Sequence, residues 1–238
     1  MTRLAIVGAM HEEIAALRPC LESVRTERRA GRDFHLGHLD GHAVILVRCG
    51  IGKVAAATTT AVLLDAFEAS ALLFTGVAGG LGEGVGVGDI VVATTLLQHD
   101  MNAEPLFPRW EVPLTGRARF DADAAWTSRL ARAGRALAAA NTHAHAAAIH
   151  QGLVISGDRF VATHADSDQL RAALPDALAV EMEGAAVAQV CHDFGRPFGV
   201  VRTVSDRADD AAHVDFQRFV CDVAAPYSRD IVRAALKL

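Results

Sequence analysis

Aromatic residues are scarce in this sequence, making up 5% of its 238 residues. Dense basic runs are missing as well, and the formal net charge is −5. That argues against a nucleic-acid surface, whose phosphates demand a clustered positive face. No apolar stretch is long enough to span a membrane. The opening MTRLAIVGAMHEE has one arginine and a short apolar run before two glutamates, the pattern of a first strand rather than a signal peptide. The four cysteines, Cys20, Cys49, Cys191 and Cys221, include no CxxC pair and lie in apolar sequence surroundings. The expectation is reduced core thiols in a cytoplasmic protein, with no activating base beside them. Eleven histidines are present, three of them in THAHAAAIH, but their spacing fits no common zinc motif, so no metal is expected. No linker-like segment and no internal repeat interrupts the chain, and residues 1–238 are read as one domain.

What is abundant is hydrophobic residues, 51% of the total, arranged in short blocks. Strand-like runs fall at 4–8, 43–49, 71–76, 89–97, 152–157, 177–182 and 198–206. Several are continuous rather than alternating, as in strands covered on both faces. Between them lie helix-like runs at 11–23, 52–68, 122–140, 166–174, 183–194 and 214–237. Alternation of this kind predicts an α/β protein, a three-layer α/β/α sandwich around a central mixed β-sheet. The segment 99–118 has three of the seven prolines and no period, which marks a functional or interfacial loop.

Polar and glycine-rich signatures follow directly after the apolar runs: GAMHEE (8–13), GIGK (50–53), TGVAGG (75–80), SGDRF (156–160), EMEG (181–184) and SD (205–206). Ligands of open α/β sheets bind at the carboxyl ends of strands, so these turns are expected to meet at one edge. GIGK and TGVAGG do not match the P-loop or dinucleotide patterns. They read better as tight turns or close backbone approaches than as phosphate cradles, since only Lys53 accompanies them. Glu13 and Glu183 each open a helix, where capping alone accounts for a carboxylate, and Asp206 has the simple alternative of a turn residue. Three carboxylates at one sheet edge, with Arg202 just before Asp206, nevertheless suit hydrolysis of a sugar bond, which uses paired carboxylates. Ser156 and Ser205 have no histidine in a recognisable acyl-transfer motif.

Taken in order, AIVGAMHEEI, GIGKVAAA, TGVAGGL, VGDIVV, VISGDRFV, VEMEGAAVAQVC and RTVSDRAD resemble the 5′-methylthioadenosine/S-adenosylhomocysteine nucleosidases of the purine nucleoside phosphorylase/hydrolase superfamily. The resemblance runs from Ala5 to about Phe216. It implies Glu13 as the base that activates water, Asp206 as the acid on adenine with Ser205 orienting it, Glu183 under the ribose hydroxyls, and Arg202 near the water. It implies Phe160 stacked on adenine, Val161 reading the base edge through its backbone, and Met182 against the sugar or base. Met10, Ile51 and Phe216 would wall the 5′ substituent. A homodimer partner would complete that wall from the segment 99–110, which contains Phe107. No cofactor is implied, and the ligand is a small adenine nucleoside. Val77 stands where the family often has a hydroxyl residue beside the ribose. The alternatives are a hydrolase of adenosine or aminodeoxyfutalosine, a phosphorylase, and a non-catalytic nucleoside binder; the last is disfavoured by three retained carboxylates that are costly to bury without use.

Overall fold

The apolar block Leu4–Gly8 forms strand β1, and every one of its residues is buried. A strand without a polar face needs cover on both sides, and it lies between two parallel neighbours, β4 (His42–Arg48) and β5 (Ala71–Gly80). The computed structural model describes residues 3–140, 147–208 and 219–238.

In chain order β1 leads to α1 (His11–Ala15), β2 (Glu22–Arg29), β3 (Arg32–Leu39), β4 and α2 (Lys53–Asp65). After β5 come β6 (Ile90–Gln98), β7 (Arg119–Asp121), α3 (Ala124–Ala140), β8 (Ile149–Ser156) and α4 (His164–Ala173). The chain ends through β9 (Ala177–Glu181), α5 (Gly184–Asp193), β10 (Phe198–Asp206), a π-helical turn at Val220–Ala224 and α6 (Ala225–Leu236). The ten strands form one mixed sheet. One side is packed by α2 and α5, through residues such as Leu63, Ala185 and Val187. The other is packed by α1, α3 and α6, through Ile14, Leu130 and Ile231. This is the expected three-layer arrangement. Among the described residues no helix is long and apolar enough to cross a membrane.

One end of the sheet closes on itself. Strand β5 pairs with both β10 and β9, β9 with β8, β8 with β6, and β6 with β10. The resulting ring of five strands brings the carboxyl ends of β5, β8, β9 and β10 together, next to that of β1.

Four details depart from the sequence reading. The helix expected over 11–23 stops at Ala15 and gives way to a 3₁₀ turn over Arg18–Cys20, because Pro19 has no N–H to continue an α-helix and restricts the residue before it. The hairpin β2–β3 has no counterpart among the expected strands, since β2 is almost entirely exposed and its sequence ESVRTERR is charged. Its signal lies in the turns. Ala30-Gly31 and Asp40-Gly41 all have positive φ, the conformation of two-residue hairpin turns. Strand β5 runs on through TGVAGG to Gly80 instead of turning at Gly76. Finally, Cys49 and Cys191 are buried but Cys221 is exposed, so Cys221 is not the core thiol expected.

Candidate active site

A cavity of about 150 Å³ opens at the point where these strand ends meet. Ten of the thirteen residues singled out from the sequence line it: Glu13, Glu183, Asp206, Met10, Ile51, Val77, Phe160, Val161, Met182 and Ser205. Arg202 lies behind the wall with 1% exposure. Phe107 does not line this chain's cavity; it is half-buried in the 99–110 segment. Phe216 lies outside the described residues, as does most of THAHAAAIH. His150, at the end of that stretch, bonds Asp89 at 2.9 Å.

Each carboxylate is held by main-chain N–H groups at a strand end. Glu13 folds back over the start of α1, so that one oxygen accepts from the N–H of Ala9 (2.5 Å) and Met10 (2.9 Å), and the other from Val77 (3.0 Å). Burial pushes its pKa up, and the nearby positive charge of Arg202 opposes that rise. Glu183, the residue before α5, accepts from the N–H of Gly52 (2.8 Å) in the GIGK turn. Burial first, and then the charge of Glu181, push its pKa up to about 8 against the pull of Arg202. Asp206 accepts from the Ser205 hydroxyl (2.7 Å) and the Ala208 N–H (2.8 Å).

Glu181 has a different place. Its carboxylate takes the Ser156 hydroxyl, the N–H groups of Glu183 and Gly184, and Arg202 Nη2 at 2.6 Å. It therefore caps the first turn of α5 and neutralises the buried guanidinium, which stacks 3.9 Å from the ring centre of Phe74. The two glutamates of VEMEG point to separate tasks because the chain leaves the strand at Glu181 and enters the helix at Gly184, which breaks the two-residue period that would have put both on one face.

The glycines of TGVAGG leave room for carboxylates. A Cβ at Gly76 would collide with the Glu13 carboxylate, and one at Gly79 would sit 3.0 Å from Asp206 Oδ1 and 2.9 Å from Ala208 Cβ. In GIGK, Gly50 and Gly52 have φ of 87° and 96°, which side-chain-bearing residues rarely adopt. Lys53 does not reach into the cavity as a phosphate ligand would. Its Nζ bonds Asp100 (2.6 Å) and Gln98 (3.1 Å), while its N–H bonds Asp158 (2.7 Å). Asp158 in turn donates its own N–H to Asp100 (2.9 Å). This bracket ties the turn that holds Glu183 to the loop that carries Phe160 and to the start of segment 99–110.

Sequence reasoning assigned no role to Ser156, Asp158 or Asp100. The signal available was SGD directly after a strand, but the partners lie 25 to 105 residues away, and a single sequence does not show them.

The sequence model of the phosphorylase superfamily matches residues 3–237. A 5′-methylthioadenosine/S-adenosylhomocysteine nucleosidase of Chromohalobacter salexigens is 39% identical over 100% of this chain and 97% of its own. Among solved structures, a nucleosidase of the same name from Neisseria meningitidis, in complex with methylthio-immucillin-A, is 38% identical. It superposes with a TM-score of 0.92 over 100% of this chain and 99% of the other. A futalosine hydrolase of Helicobacter pylori is 29% identical, with a TM-score of 0.89 over 100% of this chain and 98% of the other.

The raised pKa of Glu183 makes stability depend on pH. The folded chain holds this proton more tightly than the unfolded one, so the contribution is complete below the ordinary value of 4.5 and is lost as pH rises to about 8. Glu183→Gln removes the loss. The urea midpoint of the variant, relative to the unsubstituted chain, is expected to climb between pH 5 and pH 8 and then level off. A difference that stays constant with pH would show that the buried Glu183 carboxyl is not perturbed.

Proposed function

The chain belongs to the phosphorylase superfamily, among the 5′-methylthioadenosine/S-adenosylhomocysteine nucleosidases, and on that footing we propose that it hydrolyses the N-glycosidic bond of these two nucleosides and releases adenine. One observation carries hydrolysis over phosphorolysis. Three N–H groups, from Ala9 and Met10 after β1 and from Val77 within β5, converge, and the Glu13 carboxylate fills them. Such a nest of donors is what an anion would occupy. With a carboxylate already there, phosphate meets repulsion, whereas water meets a base.

Asp206 brings the proton that makes adenine a leaving group. A carboxylic acid donates to the imidazole nitrogen of the base and accepts from the exocyclic amine, so one side chain both recognises and activates it. Phe160, 49% exposed at the mouth, stacks on the ring, and the backbone of Val161 reads its edge. As the bond to adenine breaks, the ribosyl group becomes oxocarbenium-like. Glu183 under the hydroxyls stabilises that charge, and Met182 packs beside the sugar. Glu13, made more basic by burial, takes a proton from the attacking water, and the oxygen bonds the anomeric carbon. Arg202 opposes over-protonation of Glu13 and holds Glu181 in place. Met10 and Ile51 wall the 5′ substituent, with Phe216 assigned to the same wall. Val77 offers a methyl surface but no hydroxyl to the ribose side, its N–H being taken by Glu13.

A hydrolase of adenosine or aminodeoxyfutalosine would keep the same carboxylates and change only the 5′ wall. The 29% likeness to a futalosine hydrolase supports it less than 39% and 38% identity to the thio-nucleoside enzymes support the first reading. The proposal takes residues 1–238 as one unit, supported by the single sheet and by the matched range. It includes a homodimer, because Ile51, Val54, Leu106 and Phe160 are 49–83% exposed in the segments that carry or adjoin the cavity mouth. Phe107 then borders the partner's site. The reading includes a cytoplasmic location, which the free cysteines support.

Adenine release from 5′-methylthioadenosine is expected in phosphate-free buffer, unchanged by added phosphate and faster than from adenosine. Activity that requires phosphate would make the protein a phosphorylase and remove Glu13 as the base. Glu13→Gln is expected to lower kcat by about 10²–10⁴ with little change in KM; a kcat within a few-fold of the parent would reject the assignment. Light scattering is expected to give twice the mass of the 25.1-kDa chain, and a monomer would leave the 5′ wall without its second half.

A further inference from the structure

Helix α1 has two faces. Glu13 looks into the cavity described above, while His11, Ile14, Ala15 and, just beyond the helix, Arg18 form a stripe at helical spacing along another wall. That stripe closes a second concavity, of about 600 Å³, against β2, β3 and the end of β4. Four guanidinium-bearing residues line it: Arg18, Arg28, Arg32 and Arg48. Asp33 is the one acid among its lining residues, and it pairs with Arg28 at 3.3 Å.

The other three arginines have no counter-charge among the described residues. Arg32 is pinned by three carbonyl oxygens, donating from Nε to Cys49 (3.0 Å), from Nη1 to Ala30 (2.6 Å) and from Nη2 to Ala55 (3.3 Å). Its planar head is therefore fixed in direction while its charge stays uncompensated. The side chains of Arg18 and Arg48 are exposed and make no hydrogen bond or ion pair with the described residues. His35 sits on the floor with 9% exposure, its Nδ1 2.9 Å from Thr26 Oγ1; burial and then the charge of Arg18 hold it towards its neutral form. In a chain of net charge −5, three guanidiniums without counter-charge gathered in one hollow repel one another. A bound anion relieves that repulsion. Arginine rather than lysine suits an anion with paired oxygens, because its planar fork meets them two at a time.

We propose that this concavity is a binding site for a compact phosphate-bearing anion carrying several negative charges, a polyphosphate or the phosphate chain of a nucleotide. It is separate from the nucleoside cavity and does not rest on the nucleosidase reading. Three uncompensated cations call for more charge than a monocarboxylate supplies, and the hollow is larger than one inorganic phosphate fills.

Inorganic tripolyphosphate is the probe, titrated calorimetrically into the full chain at about 0.1 M salt. Saturable 1:1 binding is expected, weakening from tripolyphosphate to pyrophosphate to phosphate. Arg18→Ala and Arg48→Ala are each expected to weaken it about tenfold, the scale of one charge-assisted pair. Arg132→Ala, which removes an exposed arginine on α3, is expected to leave it unchanged. Both target residues are exposed, so loss of fold does not confuse the result, and circular dichroism confirms it. No saturable binding would overturn the proposal. So would equal losses in all three variants, which would mean general charge attraction, and so would citrate binding as tightly as tripolyphosphate, which would mean that phosphate is not what is read.

Discussion

One buried cation organises the centre of this protein. Arg202 is 1% exposed and lies among Glu13, Glu181 and Glu183, each no more than 7% exposed. Three carboxylates around a single guanidinium cannot all be ionised cheaply away from water. The structure resolves the conflict by unequal treatment. Glu181 takes the direct ion pair and the first N–H groups of α5. Glu13 takes three N–H groups and only the field of Arg202. Glu183 takes one N–H and is pushed towards its protonated form by burial and by the charge of Glu181. Burial and different hydrogen-bond partners thus place the three carboxyls in distinct surroundings around one cation. Phe74, stacked on the guanidinium, lends its negative ring face to the same cation.

This arrangement depends on the closure of the sheet. The donors that hold the carboxylates come from the end of β1, the middle of β5, the turn after β4 and the start of α5. They meet because β5 is shared by the open sheet and the five-stranded ring. The glycines along β5 leave space inside the ring: where a side chain would normally project, the carboxylates of Glu13 and Asp206 lie instead. Strand propensity is sacrificed there, since glycine weakens a strand, and pairing on both edges with β1, β10 and β9 makes up for it.

The bracket of Lys53, Asp100 and Asp158 shows how the loops around the cavity are held. It joins three loops from distant parts of the chain, and each loop presents one wall of the cavity or adjoins it. The salt bridge at its centre is only partly exposed, 16% on the lysine and 33% on the aspartate. Its value is geometric: it fixes the turn whose N–H reaches Glu183 relative to the loop bearing Phe160.

The sequence by itself determined the layered α/β architecture, because continuous apolar runs alternating with amphipathic ones leave few other ways to bury both faces of a sheet. It also pointed to strand ends that meet at one cavity, since GAMHEE, EMEG and SD announce themselves where apolar blocks stop. Tertiary structure alone decided how those ends are used. That β5 continues through its glycines, that Glu181 turns to a helix end while Glu183 turns to the cavity, and that Lys53 serves a carboxylate bracket all depend on partners tens to more than a hundred residues away. The charged strand β2 was illegible for a related reason. An edge strand with no buried face has no hydrophobic period, and only its turns betray it. The hollow lined by Arg18, Arg32 and Arg48 likewise exists only in three dimensions: its arginines are spread over thirty residues of sequence, and the hairpin and α1 fold them onto one surface.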